Sequence, residues 1–434
     1  METRNKNYCI ILAGGVGRRL WPASQKELPK QFIDFFGTGR TLLQQTFDRF
    51  ARFIPTNHIY ISTYESYVSL VREQLPEVPE ANILPEPVQL NTAPAAIWGT
   101  WHTVLSDADA NVVVSPADQL IQHADRFEAQ ILRGLDYVDT HADFLAIGVK
   151  PTQPNTAYGY IQMGNARGNA DDKLHKVQSF SEKPELDYAK MFMQSGEFLW
   201  NTGIFMWKGK TLGQHLSSMA HRPDRPVEEV AKQMVTIAEE MNYVRSCIPE
   251  GLPRSIDLLV LEHCSNVAVQ ECNFGWADVG CWTELHEVSH TDADGNAVSG
   301  GARVMLQGTQ NCMVRLPQHM KAIIAGLDGY VIAQQGDILM ICPNSDPDAT
   351  RRLINEGQFF CPLLPHAPHS RPGAPTAALL AKSLQSVTDA PQHRHRLETF
   401  CVYPPRAPRH HIQSKQTQVS LRQERVLNRA CTKK

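Results

Sequence analysis

The first sustained apolar stretch, Tyr8-Cys-Ile-Ile-Leu-Ala13, is short and unbroken, the pattern of a strand buried on both faces. It stops at a glycine-rich segment, Gly14-Gly15-Val16-Gly17-Arg18-Arg19. Similar short runs at 58–62, 111–115 and 144–149 predict three more buried strands. Helical periodicity falls between them, at Leu42–Phe53, 64–75, Ala93–Leu105 and Asp125–His141. Strands alternating with helices predict an α/β fold, a doubly wound parallel sheet with helices on both faces.

From about residue 290 the rhythm changes. Ala302–Leu306, Cys312–Val314, Ala322–Ala325, Tyr330–Ala333 and Ile338–Cys342 are short β-like segments with Gly or Asn between them. They predict a small all-β module, a solenoid of few turns or a sandwich. From Gln358 the pattern breaks again. Residues 358–434 hold 12 Lys and Arg against 3 Asp and Glu, with nine prolines and six histidines, a balance of +9 against -12 for the preceding chain. Little sustained apolar periodicity runs through this basic, Pro- and His-rich tail, which reads as poorly ordered.

The whole chain of 434 residues is long enough for two or three domains. Its net charge of -3 gives no reason to expect a nucleic-acid or anionic-membrane partner. No apolar run nears the roughly 20 residues of a membrane span. The short polar start, Met1 to Asn7, lacks the layout of a secretory signal, so the expected compartment is the cytoplasm. Ten cysteines contain no Cys-x-x-Cys pair and read as reduced, mostly buried small residues.

Chemistry concentrates after the first strand, in Leu12-Ala-Gly-Gly-Val-Gly-Arg-Arg-Leu-Trp-Pro and on to Pro29-Lys30-Gln-Phe. Glycines let backbone N–H groups approach phosphate oxygens. The spacing is neither a dinucleotide fingerprint nor a Walker loop. What marks it is the basic set Arg18, Arg19, Lys26 and Lys30, suited to neutralising a departing pyrophosphate. Asp118 follows a buried strand, where open α/β sheets bind ligands. Asp278 lies 160 residues later, and spacing alone cannot show that the two meet.

These segments resemble the signature of the sugar-nucleotide pyrophosphorylases, in particular the mannose-1-phosphate guanylyltransferase branch. Six more agree in order: Glu86-Pro-Val-Gln-Leu-Asn-Thr-Ala-Pro94, Ser115-Pro-Ala-Asp118, Asn155-Thr-Ala-Tyr-Gly-Tyr-Ile161, Phe180-Ser-Glu-Lys-Pro184, Asn201-Thr-Gly-Ile-Phe205 and Phe274-Gly-Trp-Ala-Asp-Val-Gly-Cys-Trp282. The resemblance implies a Rossmann-like, GT-A-like nucleotidyltransferase domain over 1–288. A small β-rich domain, left-handed β-helix-like, would follow over 289–357, and the tail over 358–434. It implies GTP and mannose 1-phosphate as substrates, GDP-mannose as product, a homodimer, and one Mg2+ shared by Asp118 and Asp278. Two carboxylates plus phosphate oxygens suit that ion.

By the same resemblance, Arg18, Lys30, Asp118, Lys183 and Asp278 are the catalytic set. Leu12, Ala13, Gly14, Gly15, Gly17, Glu86, Asn91, Ala93 and Pro116 line the nucleotide. Gly159, Glu182, Lys183 and Asn201 hold the sugar phosphate. A carboxylate accepts from guanine N1–H and N2–H, so Glu86 suits that base. Trp276 and Trp282 read as packing residues. The chain departs from the branch at Gln25, where it usually has Arg, and at Ala157, where it usually has Gly. Other hexose 1-phosphates or bases, giving UDP-, ADP- or dTDP-sugars, remain open, as does a non-catalytic sugar-nucleotide-binding homologue. Gln392-His-Arg-His-Arg-Leu-Glu398 faintly resembles an isomerase metal motif, but a tail with one glycine, Gly373, is poor in the turns such a barrel needs.

Overall fold

The computed structural model describes residues 6–346 except 88, 90, 169–172, 220–238 and 241–254, together with 350, 352 and 353. The tail and its histidine-rich segment lie outside the described residues.

The strands of the main sheet are β1 (Asn7–Leu12), β2 (Ile59–Tyr64), β3 (Ile83–Glu86), β4 (Asn111–Pro116), β6 (Phe144–Val149), β7 (Gly159–Arg167), β8 (Leu174–Glu182), β9 (Phe198–Lys208) and β10 (Val267–Cys272), with the short β5 (Gln119–Ile121) outside it. Its order is β3-β2-β1-β4-β9-β6-β10-β8-β7. The first four strands run parallel, as the alternation of strands and helices requires. β9 then runs antiparallel to both β4 and β6. β7 also pairs with β9, so β9, β6, β10, β8 and β7 close a ring. The expected all-parallel sheet is therefore a mixed one. Apolar runs report burial on both faces but not strand direction. β9, Phe-Leu-Trp-Asn-Thr-Gly-Ile-Phe-Met-Trp-Lys, has apolar stretches on either side of Asn-Thr-Gly, and nothing in them signals its direction.

The helices are α1 (Leu42–Ala51), α2 (Val68–Gln74), α3 (Thr92–Ser106), α4 (Ala124–Thr140), α5 (Leu186–Ser195), α6 (Gly209–Met219), α7 (Ile256–Leu259) and α8 (Trp282–Val288). They cover both sheet faces. Cys9 and Ile11 of β1 pack in one core with Leu43, Phe47 and Phe50 of α1 and Phe127, Ile131 and Leu135 of α4. Tyr8 and Ile10, pointing the other way, pack with Ala96, Ile97 and Trp98 of α3 and Leu212 of α6. Six cysteines among the described residues are free, five of them buried.

The β-rich module comprises β12 (Ala297–Ser299), β13 (Arg303–Gln307), β14 (Met313–Arg315), β15 (Lys321–Ala325), β16 (Tyr330–Gln335) and β17 (Ile338–Pro343). β12, β14 and β16 stack in parallel, as do β13 and β15, and β17 closes antiparallel on β16. Val331 lies opposite Met313, and Lys321 opposite Arg303. This is solenoid pairing rather than a sandwich. A third core joins the module to the basic loop: Ala297, Met313, Val331 and Ala333 pack with Leu20, Ala23, Ile33 and Phe35. The Trp282 indole donates to the Trp21 carbonyl, 2.9 Å away.

Candidate active site

β1 delivers the chain into the glycine loop beside the C-terminal ends of β2 and β4, the ligand position of open α/β sheets. Gly17 sits at φ 64°, and a Cβ there would lie 2.8 Å from Lys30 Cγ, so only glycine suits. The loop is held by its carbonyls. The Gln31 amide donates to Ala13 O (2.7 Å) and Gly15 O (2.9 Å), the Ser24 hydroxyl to Val16 O (2.9 Å) and Gln89 to Gly14 O (2.7 Å). Tethering through carbonyls suits a loop whose amides serve an anion. Gln31 was visible in the sequence only as part of a motif; its role as a loop anchor depends on the fold.

Glu86 ends β3 and is 6% exposed. It accepts from the Ser62 hydroxyl at 2.8 Å, and its Oε1 is 3.6 Å from where a Gly14 Cβ would be. Burial pushes its carboxyl up to about 7, against the opposing pull of the Ser62 bond. Leu12 pairs with Pro116 in the β1–β4 register. Asn91, at φ 76°, caps α3 by accepting from Thr92 N at 2.8 Å. Ala93 is wholly buried, packed with the other core residues of α3.

β5 and β11 (Trp276–Asp278) form an antiparallel ribbon with Asp278 opposite Gln119. That register brings Asp118 and Asp278 together across 160 residues of sequence. Lys30 enters between them: its Nζ is 3.0 Å from Asp118 Oδ2, 3.7 Å from Asp278 Oδ1, and donates to Val279 O at 3.0 Å. Lys30 is 8% exposed. Burial lowers its pKa, but the charges of the two aspartates outweigh this and hold it above the ordinary lysine value. Asp278 is raised, first by burial, with Lys30 pulling it down and Asp118 pushing it up. The pair of partly exposed carboxylates fits a divalent cation that takes its remaining ligands from water and phosphate. Among the described residues no cluster of three or more His, Cys, Asp or Glu forms a metal cage.

Arg18 and Arg19 occupy one 3-10 turn and part ways: Arg18 is exposed, whereas Arg19 turns inward. The Arg19 Nη2, Glu284 Oε2 and Asp278 Oδ2 all lie within 2.9 Å of the point a Gly280 Cβ would fill. Two neighbouring arginines look equivalent in a sequence, and only the turn selects one. Glu284 is buried and accepts from Gly280 N at 2.9 Å. Sequence reasoning passed over it, because a glutamate in a helix's first turn usually faces solvent.

The sugar-side residues also converge. Gly159 of β7 lies opposite both Glu182 of β8 and Asn201 of β9. A Cβ on Gly159 would meet Asn201 Cβ at 3.3 Å. Lys183, at φ 46°, donates its N–H to Tyr158 O (3.2 Å) and its ammonium to Glu182 (3.2 Å). Tyr158 packs edge-on against Trp200 and Trp276, as a packing role for Trp276 requires. A cavity of about 540 Å³ is lined by Arg19, Thr283 and Glu284 together with Lys183, Asn155 and Ala157.

The α/β sheet, the glycine loop and the paired carboxylates together define a nucleotidyltransferase, and the chain belongs to the nucleotidyl transferase family, whose model matches residues 8–295. Within that family it is an enzyme of the sugar-nucleotide pyrophosphorylase class. It is 33% identical over 340 residues to the mannose-1-phosphate guanylyltransferase of Escherichia coli, covering 76% of this chain and 70% of that one. It is 32% identical over 353 residues to the alginate biosynthesis protein AlgA of Pseudomonas syringae pv. tomato, covering 80% and 70%. In structure it is similar to the mannose-1-phosphate geranyltransferase of Thermus thermophilus, at TM-score 0.70 and 28% identity, over 81% of this chain and 99% of that one.

Proposed function

We propose that the protein transfers GMP from GTP to mannose 1-phosphate, giving GDP-mannose and pyrophosphate. The carrying observation is the meeting of Lys30, Asp118 and Asp278 beside the glycine loop, with Arg19 and Lys183 facing one cavity. In the proposed reaction a phosphate oxygen of the sugar phosphate attacks the α-phosphorus in line and pyrophosphate leaves. The protein's part is positioning and charge neutralisation.

The glycine loop, Leu12 to Gly17, with Pro116 beside it, cradles the nucleotide, and Glu86 accepts from the guanine edge. Asn91 completes that wall, with Ala93 buried behind it. Arg19, rather than the exposed Arg18, is the arginine suited to neutralise pyrophosphate together with Lys30. Lys183 holds the sugar phosphate. Gly159, Glu182 and Asn201 face the sugar hydroxyls. Asp118 and Asp278 would hold Mg2+, which when bound supplies charge neutralisation at the reacting phosphates.

The same reading divides the chain into a catalytic domain at 1–288, a left-handed β-helix-like module at 289–357 and a tail at 358–434, in a cytoplasmic homodimer that binds no nucleic acid. The parallel stacking of the module supports its solenoid reading, and no described helix is long and apolar enough to cross a membrane.

The test is a panel of GTP, UTP, ATP and dTTP against mannose and glucose 1-phosphates, read as pyrophosphate release. GTP with mannose 1-phosphate is expected to lead, and a clear preference for another pair overturns the assignment. Asp118→Ala and Asp278→Ala are each expected to lose at least about 100-fold in kcat, the scale of removing one preorganised electrostatic group. Near-normal turnover in either would sink the metal assignment.

A further inference from the structure

Lys30 is asked to serve the triphosphate, yet its ammonium is already engaged. Its Nζ lies 3.0 Å from Asp118 Oδ2, donates to Val279 O at 3.0 Å and pairs in charge with Asp278 Oδ1 at 3.7 Å. It stands between the two carboxylates that the proposed metal would bridge, in an almost fully buried position. An ammonium and a divalent cation both draw their stability there from the same two negative charges, and they repel one another at such a distance. The two occupants therefore compete for the same pair of charges. The lysine's stem is also tied to the nucleotide loop, since its Cγ and Cβ fill the space against Gly17 where any larger residue would clash.

We propose that Lys30 is the resident counter-cation of the two aspartates in the ligand-free enzyme. It keeps their affinity for a free divalent ion low until the triphosphate draws the ammonium away. This rests on the reading of Asp118 and Asp278 as the metal pair, and it adds an order of events. The metal enters with the nucleotide rather than before it. The arriving phosphates offer Lys30 new anionic partners, and once it moves to them Asp118 and Asp278 would be free to hold the metal. The contact with Gly17 makes this exchange move the phosphate-binding loop and the metal pair together. No group is oxidised or transferred, and the ammonium remains protonated throughout.

The experiment is Mn2+ binding to the full-length, nucleotide-free protein, followed by electron paramagnetic resonance. Wild type is expected to bind weakly. Lys30→Gln removes the charge and keeps a polar side chain, one bond shorter, with two N–H donors turned toward the same acceptors. This variant is expected to bind Mn2+ at least tenfold more tightly, and Lys30→Arg, which keeps the charge, to stay as weak as wild type. Equal or weaker binding in Lys30→Gln overturns the proposal. So does equal tightening in Lys30→Arg, which would assign the effect to packing rather than charge. Asp118→Asn in the Lys30→Gln background is expected to abolish the tight site. Tight binding that persists there removes the metal assignment itself, an outcome distinct from failure of the exchange.

Discussion

At the scale of single residues, Glu86 makes the sharpest case, because its ionisation is set by burial. Its folded pKa of about 7 stands above the unfolded value. Its contribution to stability is therefore fully present below about pH 4.5 and is lost as pH rises through about 7. Glu86→Gln removes that dependence and keeps an acceptor for Ser62. The variant is expected to gain thermal stability relative to wild type as pH rises from about 4.5 to 8, by up to about 3 kcal/mol if the whole shift is expressed. Parallel melting curves across that range would refute the burial argument. If Glu86 reads guanine, the same substitution should weaken GTP more than ATP, measured as a change in the ratio of kcat/KM. The residue type and its motif were legible in the sequence, but its burial under Gly14 and its bond to Ser62 were not, since both come from strands that meet only in the sheet. Arg19 is the complementary case. Arg19→Ala is expected to cost at least about tenfold in kcat, with Arg18→Ala close to wild type, because only Arg19 turns toward Asp278 and the cavity. A larger loss in Arg18→Ala would restore the assignment made from the motif alone.

At the scale of elements, short apolar runs and helical periodicity located β1, β2, β4, β6 and the first four helices to within a few residues. They worked because each element buries one consistent pattern against one neighbour. The same reasoning did not extend to β7 through β11. β8 alternates without a continuous apolar face, and β11 is three residues long. The ribbon β5–β11 brings Asp118 and Asp278 together, and it is held to the main sheet by Gln119, buried, which donates to Thr202 O on β9. Gln119→Ala leaves that carbonyl without its donor and loosens Asp278's partner strand. A loss of about 1–2 kcal/mol in stability is expected, together with a fall in kcat larger than in any Glu86 variant. Unchanged kcat with lowered stability would reduce Gln119 to a packing role.

Across the whole molecule, the β-rich module works as a wall of the active-site loop. Its core residues Met313, Val331 and Ala333 cover Leu20, Ala23, Ile33 and Phe35, which flank Lys30 and Gln31 on both sides in sequence. Arg315 reinforces that contact by stacking on the Phe35 ring, 4.8 Å from its centroid, and by donating to Asp34 O at 3.1 Å. The module's strands were readable in the sequence from their spacing, but this contact was not, because the two surfaces lie nearly 300 residues apart in sequence. A chain ending before residue 297 would expose Leu20, Ile33, Phe35 and Leu42 to water, at roughly 25 cal/mol per Å² of apolar surface uncovered. Such a truncation is expected to aggregate or to lose the loop's alignment, and turnover with it, even though the family match at 8–295 is retained. A chain ending at residue 357, by contrast, keeps every core residue of the module and is expected to keep activity and solubility. The decisive measurement pairs the two truncations with Arg315→Ala, which leaves the module in place but weakens its hold. If the module acts through the loop, Arg315→Ala raises KM for GTP several-fold while leaving KM for mannose 1-phosphate near wild type, because Asp34 and Phe35 connect directly to the Lys30–Gln31 turn and not to Lys183. Equal rises in both constants would instead make the module a general support of the fold.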